Sequence, residues 1–466
     1  MISSLRSKLS LCRLNPLPGD HILQRSVLLF SVRTKSSLKS FLLVGAPVWA
    51  AMTLSQAALA ADEDHPFYIL GPDVDHVGWT PGLTPTAIEA EIEDVSTMRK
   101  GYFEIPGVSR PFDYTYDRLD DLYNALGLRI GTAYTMLFQG LSGGPWDQFG
   151  GAGDFDLMGS WTLVGKDTEN TGRVIFDLEE RFKIGERTPN SLGSQIATLV
   201  ATANTFNDRG LALRDLHWEQ RLWDGQFRFM FGRADSTAYF GSTWMQSANN
   251  SFVNRMFAAN PTVAAPGHGP AAGISFKPND QDFYITAGAA NAFSSTTRVN
   301  IDSLVDEWTF FSYGELGWTP KFEGLGEGRY TFSGWHAGER ESLGQPADWG
   351  VTAIADQQFN DVVEAFARWG YAGKADLGIR NYIQGGVGFR LGLAGREAND
   401  TVGAAFSWAF PSNSELRQEK VCETFYRLQL TRFSQFSVGA QAIFDPSDAP
   451  GTDVVGAFWG RLRIYF

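Results

Sequence analysis

From Leu128 onward, apolar and polar side chains alternate with a period of two. That repeat places successive residues on opposite faces of a β-strand. The last segment shows it best: Val454, Gly456, Phe458, Gly460, Leu462, Ile464 and Phe466 share one face, while Asp453, Trp459, Arg461, Arg463 and Tyr465 share the other. The pattern recurs upstream. Val174, Phe176, Leu178 and Phe182 oppose Arg173, Asp177, Glu179, Arg181 and Lys183, and Val402, Ala404, Phe406 and Trp408 oppose Gly403, Ala405 and Ser407. About sixteen such segments can be read, the first near 128–139 and the last near 453–466, an even number of the kind a closed antiparallel barrel needs. In a soluble sandwich the apolar face would point to a core. Here the opposite face carries glycine and charge, which suits bulky groups turned to lipid and a water-filled interior. The predicted fold class is therefore all-β: a transmembrane, antiparallel, up-and-down β-barrel of about sixteen strands over 128–466. Closure leaves no unpaired edge in lipid. Glu180 interrupts the lipid face and is expected near an interface or at a bulge.

Connection lengths supply an independent check. Short links follow the fourth, tenth and fourteenth segments, at Trp223-Asp224-Gly225, Asn360 and Phe433, whereas 185–209 and 234–270 are long and follow odd segments. Such parity places the start of the first strand and the C-terminus at the same, periplasmic end of the barrel.

Residues 61–127 read differently, as an N-terminal helical segment at the periplasmic mouth or plugging the lumen. Thr84-Pro85 is set to start a helix with Ile88, Ile92, Val95 and Met98 on one face and Gly101 at its end. A second helix is predicted over Arg118 to Leu126, with Leu119, Leu122 and Leu126 on one side. Before them, residues 1–60 form a targeting segment. Arg33, Lys35 and Lys39 precede an apolar run from Phe41 to Leu54, and Ala58-Leu59-Ala60 ends it in a small-x-small cleavage pattern. The stretch before Arg33 is long for such a leader and points to a start codon read too far upstream.

Composition sharpens this picture. The chain has 466 residues with 50 Gly, 35 Phe, 14 Trp and 14 Tyr, yet is only 43% hydrophobic, as aromatic girdles at two bilayer interfaces would require. The leader holds seven of the 39 Lys/Arg and one of the 52 Asp/Glu, so its removal moves the formal charge from −13 to −19. That balance argues against a nucleic-acid partner, which wants a basic face. Cys12 leaves with the leader and Cys422 has no internal partner. The histidines His65, His76, His217, His268 and His336 are scattered without metal-ligand spacing. No metal, cofactor or catalytic set is expected, and the chain is not read as an enzyme.

Three blocks then resemble one family. Leu216 to Arg233 (LHWEQRLWDGQFRFMFGR) with Asp235 and Phe240, Gly350 to Tyr371 (GVTAIADQQFNDVVEAFARWGY), and the ending Glu423 to Phe466 look like the carbohydrate-selective porins, the OprB family. The likeness covers most of 118–466 and is weak over 61–116. It implies a sixteen-stranded barrel in the bacterial outer membrane and passive uptake of small sugars through an eyelet of charged and aromatic side chains. The implied partners are small carbohydrates and outer-membrane lipid, and independently of the resemblance the terminal Phe466 on an alternating last strand reads as a signal to the barrel-assembly machinery.

A sugar presents hydroxyls on its rim and C–H groups on its faces, so a selective pore needs charges of both signs and aromatic rings at its narrowest point. Two sources can supply them: lumen-facing strand residues, among them Glu179, Arg181, His217, Glu219, Arg228, Arg368, Arg390 and Arg427, and the segment 234–270 folded inward, with Asp235, Tyr239, Phe240, Trp244, Asn249, Asn250, Arg255 and Asn260. The candidate constriction residues are Glu219, Arg228, Asp235, Trp244 and Arg255, with Glu179, Arg181 and Arg368. Against any one of them stands the plain reading of a wall salt bridge or a solvated loop tip. Two other functions compete on the same barrel: a general or cation-selective porin, and a barrel that anchors or binds through 61–116 without transport.

Overall fold

The computed structural model describes residues 85–466 apart from 97–98, 104–105, 144–147, 280, 300, 361, 375–377 and 393–398. The leader, residues 61–84 and Met98 on the first helix's apolar face lie outside the described residues. The strands are β1 (Leu128–Leu141), β2 (Phe149–Val164), β3 (Gly172–Ile184), β4 (Gly210–Leu222), β5 (Phe227–Ala234), β6 (Gly269–Phe276), β7 (Phe283–Asn291), β8 (Phe310–Trp318), β9 (Lys321–Phe322), β10 (Gly326–Ala337), β11 (Asp348–Gln358), β12 (Val363–Ala372), β13 (Ile379–Leu391), β14 (Asp400–Pro411), β15 (Glu419–Thr431), β16 (Ser434–Phe444) and β17 (Val454–Tyr465). β9 is a two-residue strand that pairs only with β10. The other sixteen form the wall, each antiparallel to its chain neighbour, and β17 pairs back onto β1 from Ala133↔Tyr465 to Leu141↔Ala457. The closed ladder satisfies the backbone within the wall, the condition for crossing lipid without an edge.

Alternation sorts the wall as the sequence pattern requires. Phe231, Leu316, Phe332 and Phe458 stand exposed on the outer face at 53–62%, while inward residues such as Arg461 and Arg463 are buried. Cys422 is a free thiol on the outer side of β15. Glu180 is exposed close to the end of β3, next to a register shift between β3 and β4. Links 223–226, 359–362 and 432–433 gather at the end that carries the C-terminus, and 185–209, 235–268 and 292–309 at the other.

The interior is not simply wet. Leu192, Ile196, Ala203 and Phe206 from 185–209 and Phe252, Val253, Met256 and Phe257 from 235–268 pack on inward Leu137, Phe366, Tyr382, Phe425 and Trp459. Phe240 and Val263 make a second apolar cluster with inward Met230, Phe311, Tyr313 and Trp335. Burying one such side chain contributes about 1.5–3 kcal/mol, so two connections that the sequence shows only as long loops serve as a core inside the barrel. Gly232 allows the tight entry to the second of them. Its φ is +143°, and a Cβ there would lie 2.6 Å from the His217 backbone.

The N-terminal segment also enters the barrel. Helix α1 (Ile88–Ser96) begins three residues after Pro85, which lies in a turn. Its Ile88, Ile92 and Val95 bury against inward Ala133, Met158, Ile175 and Tyr465 of β1, β2, β3 and β17. Tyr102 and Phe103 then donate backbone hydrogen bonds to Gln429 and Leu430 at the end of β15, both at 2.8 Å. Helix α2 (Pro106–Leu126) is longer than the sequence pattern predicted, because Pro106 itself opens it with its φ pre-set. Gly127, at φ +72°, turns the chain into β1.

Candidate functional site

The connection 235–268 is anchored to one half of the wall by side chains that the strands point inward. Four arginines grip its carbonyls. Arg329 on β10 reaches Ser242, Arg368 on β12 reaches Gly241 (3.2 Å), Met256 (3.5 Å) and Ala259, Arg427 on β15 reaches Asn250 (2.8 Å), and Arg461 on β17 reaches Ser251 (2.8 Å) and Ala248. Carboxylates accept its amides: Glu315 from Gly241 (2.8 Å), Asp356 from Trp244 (3.1 Å), and Glu423 from Val253 and Asn254 (2.9 and 3.0 Å). Charge-assisted bonds of this kind are about twice as strong as neutral ones. All four arginines are nearly inaccessible, so losing one would leave buried acceptors unpaired.

The opposite wall, β2 to β5, pairs its charges mainly with one another. Near the long-loop end, Arg181 bonds Asp154 at 3.2 Å and also Glu179, which Arg209 and Arg214 approach as well, the latter at 3.5 Å. Arg214 lies 3.4 Å from Asp177 and 4.0 Å from Asp156. Nearer the C-terminal end, Glu219 accepts from Arg173 (2.7 Å) and Arg221 (3.1 Å), and Arg228 belongs to the same charge cluster. Asn249 of the loop reaches across to Asp154 at 3.3 Å. This strip thus interleaves carboxylates and guanidiniums on the inward face of the wall, with the loop opposite it. One oxygen each of Asp154, Asp156 and Glu179 lie within 4.8 Å of one another, close enough to share a cation, but the three guanidiniums Arg181, Arg209 and Arg214 already stand against them.

The predicted site residues separate into two groups. Glu179, Arg181, Glu219 and Arg228 all lie on the strip, and exposed Arg255 opens a short helical turn on the loop. The others hold the loop. Arg368 is a clamp. Asp235 caps the turn at the loop's root by accepting from Thr237 N (2.9 Å) and Oγ1 (2.7 Å). Trp244, half-buried, lies 5.8 Å from the Arg329 guanidinium. Among the wider candidates, Asn260 bonds Thr352 at 3.0 Å, Asn250 bonds Asp94, and Tyr239 meets His217 at 3.2 Å. His217 and His268 both approach Asp215, at 3.8 and 3.5 Å, beneath the loop root. Arg214 escaped the sequence reading because the shift between β3 and β4 turns both Arg214 and Asp215 inward, where strict alternation allows one of them.

Helix α1 lies beneath the loop. Asp94 pairs with Arg463 and Arg99, each at 2.7 Å, Glu89 with Arg173 at 3.5 Å and Glu93 with Arg129 at 3.2 Å. Burial raises the Asp94 pKa, but Arg99, Arg463 and Arg427 outweigh it and hold the carboxyl at about 2. Glu89 moves the other way, well above the usual carboxylate range, through burial and the neighbouring Glu219 charge. Glu91 is also raised, by burial against the opposing pull of Arg214 and Arg463.

The family model for the carbohydrate-selective porins, OprB family, matches residues 165–462, a span that contains the loop, all four clamping arginines and the strip residues of β3 to β5. The chain belongs to that family. Among solved structures, the high-pH structure of Pseudomonas putida OprB is similar at 16% identity with a TM-score of 0.63, covering 76% of this chain and 97% of that one. At this identity the likeness is one of fold, and it bears out the closed sixteen-stranded wall. The low-pH structure of the same protein matches at 16% identity over the same shares with a TM-score of 0.48. A mutant of the Rh. blastica porin matches at 11% identity, over 73% of this chain and 100% of that one, with a TM-score of 0.44. No curated protein matches the chain in sequence. A porin family on a barrel fold points to a channel rather than an enzyme.

Proposed function

We propose that this member of the OprB family lets small neutral sugars diffuse passively across the bacterial outer membrane, through an aqueous path narrowed between the β2–β5 strip and the loop 235–268. The observation that carries this reading is the division of the lumen. One half of the wall spends its arginines on fixing the loop, and the other presents interleaved carboxylates and guanidiniums. Such a surface offers paired donors and acceptors to hydroxyls while opposing charges cancel for a simple ion. In this reading flow is passive and runs down the gradient. The aromatic outer band and the closed wall suit an outer-membrane setting, and Phe466, whose backbone pairs with Thr132 of β1, fits a terminal signal for assembly.

Swelling of liposomes carrying the protein tests the reading. Hexoses are predicted to enter faster than disaccharides, and sugar acids of similar size more slowly than neutral hexoses, because a charged group must give up more hydration to enter a narrowed path where paired charges offer it no net attraction. Equal rates for all three would leave a general porin. A loop held this firmly favours sugar selectivity over that alternative, since general sieving needs no fixed polar geometry.

A further inference from the structure

A cavity of about 510 Å3 lies at the end of the barrel that carries the C-terminus. Three parts of the chain enclose it: α1 with Glu89, Ile92 and Glu93, the last turn of α2 with Tyr123, and the wall with Arg129, Arg173 and Arg221, closed at its rim by the β2–β3 turn. Arg173 and Arg221 are also the two arginines bonded to Glu219. The cavity therefore adjoins the charged strip on its C-terminal side.

Its chemistry is that of a polyol site. Glu93 sits 3.2 Å from Arg129, and Glu89 3.5 Å from Arg173. Each pair offers an acceptor beside a donor, the arrangement that vicinal hydroxyls answer, and opposite signs at such short range leave little net field for a free ion. Ile92 adds an apolar surface, and Tyr123, its ring 4.3 Å from the Arg129 guanidinium, a hydroxyl. The volume falls within the range of about 300–1,000 Å3 typical of small-ligand sites.

We infer that this cavity is a second sugar-binding site, on the exit side of the constriction, sized for a hexose and formed only because α1 lies inside the barrel. The inference rests on the sugar-porin reading. It gives α1 a role beyond filling space: two weak sites in series let a solute leave the constriction without crossing one deep trap.

The test is single-channel recording in planar bilayers with glucose as the probe, on the full mature chain and on the variants Glu93→Gln and Tyr123→Ala. Open-channel conductance before sugar is added shows that each variant has folded and inserted. In the unaltered protein the glucose titration resolves two binding steps, and each variant weakens one of them by about three- to tenfold, the loss of a hydrogen bond or its partner, while the other step stays in place. A single step that neither variant moves overturns the exit site and leaves the sugar porin standing. No response to glucose in the unaltered protein overturns both.

Discussion

Arg329, Arg368, Arg427 and Arg461 decide where the loop 235–268 lies, because each places a buried guanidinium against its carbonyls. In Arg368→Ala, Gly241, Met256 and Ala259 lose a donor, at about 1–3 kcal/mol for each acceptor left buried. The remaining clamps keep the barrel folded, but the loop loosens. Single-channel conductance should rise and grow noisier; an unchanged, quiet conductance would mean that the loop does not limit the passage. Glu219 acts differently. It is the carboxylate among Arg173, Arg221 and Arg228, so Glu219→Gln leaves three cations facing the lumen. Reversal potentials in a salt gradient should shift toward anion selectivity, and a shift toward cations, or none, would remove Glu219 from the ion path.

At the scale of elements, α1 carries carboxyls displaced in opposite directions. Asp94, held at about 2 against a usual 3.8, stabilises docking fully above pH 3.8 and loses that contribution as pH falls through about 2. Glu89 and Glu91, both raised above 4.5, favour docking below pH 4.5 and lose their contribution as pH rises through their elevated values. Docking should therefore be tightest near about pH 4. A nitroxide at exposed Ser96 should be least mobile there and loosen toward alkaline pH; least mobility at pH 8 would contradict the opposed signs. The wall strands were legible in the sequence because period-two alternation survives wherever one face meets lipid. β9 was not, since two residues carry no period, and neither was the start of α2, because the apolar face of Leu119, Leu122 and Leu126 begins well after Pro106, where the helix opens. Arg214 was hidden by the register shift. The inward fold of 234–270 was readable as a possibility, but its Phe252 and Phe257 look like any loop aromatics until the arginines across the lumen are seen to hold their backbone.

For the whole molecule, the consequence is a barrel whose bore is mostly filled. Two apolar clusters and α1 lie within the lumen, and we propose that the β2–β5 strip with the loop opposite it forms the polar route. The lumen-facing charges that alternation identified divide by what lies across from them: Glu179, Arg181, Glu219 and Arg228 meet opposite charges of the β2–β5 wall, whereas Arg368 and Arg427 meet the loop. Sequence reveals which face a residue occupies, not which half of the bore remains open. The central claim is that small sugars bind in this narrowed passage as they cross. The most direct test is single-channel conductance of the refolded mature protein at fixed salt, titrated with a panel of mono- and disaccharides. The account predicts saturable block by monosaccharides and weaker block by disaccharides. Steady open channels that no sugar blocks would contradict it.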